Sequence, residues 1–117
     1  MNDLIERYLQ IWNTTEAGER RQAIEQVWSG QATYTDPLVS ATGHEEIDAV
    51  IAAVQAQFPG YEFRLAGPVD AHHDQARFGW ELAQPGAEAL VVGFDVATRD
   101  ADGRIDTVLG FLDRVPG

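Results

Sequence analysis

The stretch "EEIDAVIAAVQAQFPGYEFRL", residues 45–65, contains the change of hydrophobic period that decides the fold. Up to Phe58 its apolar residues recur at helical spacing, and they are Ile47, Val50, Ile51, Val54 and Phe58. Pro59-Gly60 ends this pattern, and from Tyr61 the apolar residues tend to alternate with polar ones, as they do in strands. We therefore predict a helix over residues 45–58, followed by a sheet.

The sequence before this stretch predicts two more helices and one short strand. The first helix ends near residues 13–15, and its apolar face carries Leu4, Ile5, Tyr8, Leu9 and Trp12. The second begins at about Glu16 and is stopped by Ser29-Gly30, and its apolar face carries Ala23, Ile24, Val27 and Trp28. Residues 32–35 should be extended, because Asp36 precedes a proline and has to leave any strand ladder there.

After residue 60, segments of period two alternate with turn signals. The predicted strands cover residues 61–65, 69–73, 75–82, 89–99 and 104–112, and hairpin turns are expected at residues 84–86 and 100–103. Three helices followed by an antiparallel meander form an α+β architecture. The 117 residues contain no repeat and no linker, so we expect a single domain, 1–117.

The two faces of the predicted strand 89–99 differ in character. One face carries small residues and a single acid, Asp95, and consists of Ala89, Val91, Gly93, Asp95 and Ala97. Small side chains pack poorly against a covering helix, so this face predicts either bulky neighbours or a cavity that contains Asp95. The other face, with Leu90, Val92, Phe94 and Val96, would expose a large apolar patch. We expect that face to form a homodimer interface.

Composition excludes several classes of partner. Eight basic and nineteen acidic residues give a formal charge of -11, which would repel nucleic acid and anionic membranes. The absence of cysteine excludes disulfides and thiolate sites and is compatible with a reducing compartment. The amphipathic, acidic N-terminal segment differs from a signal peptide, and no apolar run reaches the length of a membrane-spanning helix. We expect a soluble, cytoplasmic protein.

Three titratable residues are candidates for chemistry: Tyr8, Asp36 and Asp95. A phenol and a neutral acid can stabilise an enolate oxygen while an ionised carboxylate removes a carbon-bound proton. Each residue also has a purely structural interpretation. Asp36 before Pro37 is a common turn former, Tyr8 is a common core aromatic, and Asp95 could pair with Arg77 or a histidine.

The segments "ERYLQIW", "ATYTDPL…TG" and "LVVGFDV…DGRI" together resemble the ketosteroid isomerase and SnoaL-like polyketide cyclase branch of the NTF2-like superfamily. The resemblance covers nearly the whole chain. It implies a cystatin-like cone, in which three N-terminal helices pack on a strongly curved, mixed and mostly antiparallel sheet. It also implies that Asp36 is the base and that Tyr8 and Asp95 donate hydrogen bonds to the substrate oxygen.

The resemblance implies a cofactor-independent isomerase or cyclase that acts on a small apolar carbonyl compound. The residues expected to line its pocket are Trp12, Trp28, Tyr34, Phe58, Phe78, Trp80, Val108 and Leu112. A further tyrosine that ketosteroid isomerases place on the third helix falls at Ile51, and a full steroid is not expected to fit. The alternative is a non-catalytic ligand-binding or dimerisation module of the same fold.

No metal site or cofactor is predicted. His72 and His73 are adjacent in a predicted strand and should point to opposite faces, which is poor geometry for joint ligation. The segment 100–103 lacks the glutamate that closes a calcium loop, so we expect a solvated turn there.

Overall fold

The computed structural model describes residues 1–116 of the chain. Within these residues three helices cover the predicted positions: α1 is Asn2–Asn13, α2 is Ala17–Val27 and α3 is Gly43–Gln57. The N-terminus of α2 is capped by Glu16, whose carboxylate accepts hydrogen bonds from the backbone of Gly18 at 3.1 Å and of Glu19 at 2.6 Å. Helix α3 begins two residues earlier than predicted, at Gly43, whose positive φ of 84° is a conformation that glycine adopts without strain.

The strands of residues 1–116 form one open, mixed sheet on which the helices pack. They are β1 Trp28–Thr35, β2 Ser40–Thr42, β3 Glu62–His72, β4 Gln75–Ala83, β5 Val91–Arg99 and β6 Ile105–Arg114. Their spatial order is β2-β1-β6-β5-β4-β3. Strands β1 and β6 are parallel and the other neighbours are antiparallel. The predicted α+β class, with a mostly antiparallel sheet, is confirmed.

Three strand assignments differ from the prediction. Trp28, Ser29 and Gly30 belong to β1, not to the end of the second helix, because Trp28 pairs with Ile105 of β6. The short strand β2, which pairs antiparallel with β1, was not predicted. The two strands predicted over residues 61–65 and 69–73 are one strand, β3, whose pairing with β4 is irregular between Ala66 and Asp70. Such long-range pairing leaves little trace in local sequence.

The prediction that His72 and His73 point to opposite faces is wrong. Strand β3 ends at His72, which pairs with Gln75, and His73 adopts a positive φ of 55° in the two-residue connection. This turn brings the two exposed rings to a centroid distance of 5.3 Å, with 3.1 Å between their Nδ1 atoms. Both rings lie at the far end of the β3–β4 hairpin and do not line the largely apolar cavity described below.

The alternation predicted for β5 is confirmed. Val91, Gly93, Asp95 and Ala97 are buried beneath the helices, and the residues between them are only half-buried. On the opposite face, Phe94 pairs with Phe111 and Val96 pairs with Leu109 of β6. Phe111 and Leu109 remain largely exposed in the single chain. This outer face is therefore an apolar surface that no element of residues 1–116 covers.

A buried ion pair joins the second and third helices. Arg20 donates through Nε to Asp48 Oδ1 at 2.6 Å, and its Nη1 donates to the side chain of Gln55 at 3.0 Å. Gln55 also donates to the backbone oxygens of Trp12 and Thr14, at the end of α1. The three helices are thus fixed to one another near the C-terminal end of α1. None of the helices formed by residues 1–116 is long and apolar enough to span a bilayer.

Candidate active site

Two glycines on the inner face of the sheet make room for the candidate site. A Cβ atom at Gly93 would lie 2.0 Å from Cζ2 of Trp80, so the indole of Trp80 lies directly over that glycine. A Cβ atom at Gly110 would lie 3.0 Å from Oδ1 of Asp95 and 3.2 Å from Cβ of Asp36. The side chains of the two candidate acids therefore approach the same glycine of β6, one from β5 and one from the loop after β1.

A cavity of about 340 Å³ lies between this face, helix α1 and the C-terminal end of α3. Most of its wall is apolar, and its lining residues are Tyr8, Leu9, Trp12, Tyr34, Asp36, Leu38, Val54, Gln57, Phe58, Phe63, Trp80, Leu82, Val91, Asp95, Gly110, Phe111, Leu112, Val115 and Pro116. The volume falls within the range of small-molecule pockets. An apolar chamber with a few polar groups at one end is the usual form of such a pocket.

Asp95 is the buried acid of the cavity, with 3% of its surface exposed. Its Oδ2 accepts a hydrogen bond from the hydroxyl of Tyr8 at 3.0 Å, and its Oδ1 accepts one from Nε1 of Trp80 at 3.1 Å. Burial raises the pKa of Asp95 from its ordinary 3.8 to about 6, against the opposing effect of the two donors, and the charge of Asp36 adds to the rise. Both protonation states of Asp95 are therefore accessible near neutral pH.

The alternative partner for Asp95, Arg77, is engaged elsewhere. Arg77 donates through Nε to Asp70 Oδ2 at 3.0 Å on the exposed side of the β3–β4 hairpin. The partners of Asp95 are instead a phenol and an indole, which carry no positive charge. This arrangement satisfies the carboxyl group without fixing it in the ionised state.

Tyr8 is held in an aromatic cluster on the buried side of α1. Its ring centroid lies 5.5 Å from that of Trp28 and 5.8 Å from that of Phe78. Burial, and then the nearby charge of Asp95, raise the pKa of Tyr8 well above the ordinary value for a phenol. The hydroxyl therefore stays protonated and available as a donor.

Asp36 is both a turn former and part of the cavity wall. Its Oδ1 accepts hydrogen bonds from the backbone nitrogens of Leu38 at 2.8 Å and Val39 at 3.0 Å, which closes the turn after β1. Its Oδ2 accepts one from the hydroxyl of Tyr34 at 2.8 Å. Burial, followed by the charges of Asp95 and Asp36, raises the pKa of Tyr34, which therefore remains a donor. Three donors hold this half-buried carboxylate in one orientation.

The structure brings most of the sequence-predicted site residues together. Those that line the cavity are Tyr8, Asp36 and Asp95, with Trp12, Tyr34, Phe58, Trp80 and Leu112. Trp28, Phe78 and Val108 do not line it. They are fully buried, the first two packed against the ring of Tyr8 and the third on β6 beside Tyr34 of β1. They lie in the core behind the residues that line the cavity.

Sequence reasoning missed part of the apolar lining. Phe63 packs between Trp12 and Trp80, with its ring centroid 5.3 Å from each of theirs. The alternation of Phe63 with polar neighbours and Leu65 along β3 could have indicated that it faces the cavity. Leu38, Phe111 and Val115 lie in the lining near the loop and the C-terminal end of β6, and no local pattern marks them. In the part of the chain that the structure describes, no three His, Asp or Glu side chains are grouped so as to hold a metal ion.

Three helices on an open, mixed six-stranded sheet with a cavity between the layers is the architecture of NTF2-like, cystatin-like proteins. The chain belongs to one family of that class: residues 5–108 match the model of the SnoaL-like domain. The resemblance inferred from the three sequence segments is thereby confirmed. No curated protein sequence matches the chain significantly.

Several solved structures share the fold. A candidate isomerase of the SnoaL-like family from Agrobacterium tumefaciens is 39% identical, with 96% of each chain covered and a TM-score of 0.91. A candidate polyketide cyclase from Sinorhizobium meliloti is 17% identical over 92% of this chain and 93% of its own, with a TM-score of 0.71. An NTF2-like protein of unknown function from Exiguobacterium is 17% identical over 96% and 99%, with a TM-score of 0.75. The last two similarities concern the fold alone.

Proposed function

We propose that this protein binds a small, apolar carbonyl compound and catalyses proton transfer next to the carbonyl group without a cofactor, as an isomerase or a polyketide-cyclase-like enzyme. The observation that carries the proposal is the meeting of two differently held carboxyl groups and a buried phenol in one apolar cavity. The candidate isomerase from A. tumefaciens, at 39% identity, supports the same class of reaction.

Asp36 is the proposed base, because three donors orient its carboxylate at the cavity wall. Its carboxylate would remove a proton from the carbon next to the substrate carbonyl. The electron pair of the broken C–H bond then forms a C=C bond, and the carbonyl oxygen becomes an enolate oxygen. In an isomerisation, Asp36 returns the proton to another carbon. In a cyclisation, the enolate carbon attacks a second carbonyl of the same molecule, and Asp36 protonates the resulting alkoxide.

Tyr8 and the protonated form of Asp95 are the proposed donors to the enolate oxygen. Tyr8 donates to Oδ2 of Asp95 when no substrate is bound. A substrate oxygen placed beside Oδ2 would receive hydrogen bonds from both groups, while Trp80 continues to hold Oδ1. An apolar substrate also displaces water from the cavity, which favours neutral Asp95 further. The donor that the reaction needs is thus produced by binding of the substrate.

The test is the rate of conversion of a small β,γ-unsaturated ketone to the conjugated enone by the wild-type, Asp36→Asn and Tyr8→Phe proteins. Loss of the base should lower kcat/KM by about 10²- to 10⁴-fold, and loss of the phenol by about 10²-fold. The amide introduced by Asp36→Asn keeps an oxygen that can accept from the turn nitrogens, so the fold should persist. The exposed residue Asp113 provides the matched control, Asp113→Asn, which should leave the rate unchanged. Equal rates in the wild-type and Asp36→Asn proteins would remove Asp36 from the mechanism.

The second candidate is a binding module without catalysis. It is favoured by the three hydrogen bonds that Asp36 already accepts, since they occupy lone pairs of the carboxylate oxygens that a base would use. Under this alternative the ketone quenches or shifts the fluorescence of Trp12 and Trp80 but is recovered unchanged. Binding without turnover at any pH would favour the module over the enzyme.

A further inference from the structure

The mouth of the cavity is unusually apolar for a surface exposed to water. Among residues 1–116, the large hydrophobic side chains that stand out as exposed are Leu38, Leu109, Phe111 and Val115. The side chain of Phe111 belongs to the outer face of the sheet described above. Leu38 is 81% exposed and Val115 is 56% exposed, and both line the cavity. Leu109 does not. Exposed apolar groups that cluster at one place usually mark a binding surface.

Hydrogen bonds fix the backbone at or next to Leu38 and Val115. The backbone nitrogen of Leu38 donates to Asp36 Oδ1 at 2.8 Å, so the carboxylate that faces the cavity also fixes the loop that presents Leu38. Val115 directly follows Arg114, whose Nη2 donates to the backbone oxygen of Ala89 at 2.7 Å. The C-terminal segment is therefore held against the β4–β5 connection. The apolar mouth is built at a fixed place relative to Asp36.

The charges around the cavity limit what can occupy this mouth. The lining formed by described residues contains two carboxyl groups, Asp36 and Asp95, and no lysine, arginine or histidine. The chain as a whole carries a formal charge of -11. A carboxylate or phosphate group on a ligand would meet repulsion at the inner end and find no cation in the lining to pair with. The guanidinium of Arg114 is engaged with the oxygen of Ala89.

We propose that Leu38 and Val115 form an outer subsite for the distal hydrocarbon part of the same ligand whose carbonyl group lies at Tyr8 and Asp95. This subsite rests on the proposed function and specifies the class of substrate that the cavity binds. The ligand is an uncharged carbonyl compound long enough to reach from Asp95 to the mouth, and free acids and phosphate esters are excluded. Its outer end replaces water on two exposed side chains, so hydrocarbon length contributes directly to affinity.

The experiment measures dissociation constants by calorimetry for 4-alkylcyclohexenones of increasing chain length, with a terminal carboxylate on a parallel series. Once the chain reaches the mouth, each further methylene should strengthen binding by about fourfold until the subsite is filled. The carboxylate series should bind at least about tenfold more weakly at each length. In the double variant Leu38→Ser/Val115→Ser, the ratio of long-chain to short-chain affinity should fall by at least about tenfold. Both substituted side chains are exposed, and the serine at position 38 keeps the backbone nitrogen that donates to Asp36.

Leu109→Ser is the matched control, because Leu109 is an exposed leucine that lies outside the cavity lining. It should leave the long-to-short ratio unchanged. If the short ketone binds but chain length has no effect, or if Leu109→Ser weakens long chains as much as the double variant does, the subsite is refuted and the proposed function stands. If no ketone of any length binds, both fail. If the double variant changes the sedimentation coefficient and not the ratio, the mouth is a contact between copies of the chain and the subsite is refuted.

Discussion

Replacing the buried acid of the site should stabilise the protein at neutral and alkaline pH. In Asp95→Asn the side chain keeps its shape, its oxygen can accept from Trp80, and its amide can donate to the oxygen of Tyr8. The variant removes a carboxyl group that must ionise inside the protein at neutral pH. Its stability relative to the wild type is therefore a direct measure of how unfavourable that ionisation is.

The magnitude follows from the pKa of Asp95. Because the folded-state pKa, about 6, lies above the ordinary value of 3.8, the unfolded state ionises first as pH rises. Well below pH 3.8 the carboxyl group is neutral in both states and does not affect the free energy of unfolding. Above pH 6 it is charged in both, and the folded state bears a penalty of about 3 kcal/mol. Allowing for weaker hydrogen bonds to a neutral amide, we predict a gain of about 1–3 kcal/mol for Asp95→Asn at pH 8.

The assay is urea denaturation at intervals between pH 4 and pH 8, followed by tryptophan fluorescence. The difference between Asp95→Asn and wild type should be small or negative at pH 4, grow through pH 6 and level off above it. Asp113→Asn removes one exposed charge and serves as the control for the net charge, since its difference should show no step near pH 6. A variant that is less stable than wild type at pH 8, or a difference that does not change with pH, would refute the reasoning.

Two further predictions concern packing and association. Gly93→Ala places a Cβ atom within contact distance of the indole of Trp80 and should lower the free energy of unfolding by about 1–3 kcal/mol. Gly30→Ala is the control, because the space around its new Cβ atom is open and the loss of stability should be much smaller. Urea denaturation measures both variants, and equal losses would contradict the packing argument. The outer face of the sheet remains a proposed homodimer interface, so sedimentation should give a dimer for the wild type and a monomer for Leu109→Glu, and a monomeric wild type would exclude it.

The helices and the inner face of β5 were readable from the sequence because both depend on local periodicity. The helical spacing of Ile47 and Ile51 and the alternation of Gly93 and Asp95 each follow from the geometry of one element. The start of β1 at Trp28 and the existence of β2 were not readable. Both depend on pairing with residues outside the element itself, Ile105 in the first case, and no local pattern encodes such a partner.

The candidate site was predicted to a similar extent. That Tyr8, Asp36 and Asp95 share a cavity followed from the family resemblance, since they lie on three separate elements. The roles of the tryptophans were not accessible in the same way. Trp28 and Trp80 look alike as bulky apolar residues, yet one supports Tyr8 from the core and the other donates to Asp95 across Gly93. Only the cross-strand register of β4 and β5, which places Trp80 opposite Gly93, separates the two.

The resemblance to ketosteroid isomerases implies a tyrosine on the third helix, and this chain has Ile51 at that position. Ile51 is fully buried and has no polar group, so its side chain cannot donate to Tyr8. The additional donor here is Trp80, which comes from the sheet and lowers the pKa of Asp95, whereas the pKa of Tyr8 stays raised by burial. Trp80→Phe should therefore raise the pKa of Asp95. Because the proposed reaction needs Asp95 in its neutral form, the alkaline limb of the pH–rate profile should move to higher pH in this variant, and an unmoved or lowered limb would contradict the assignment.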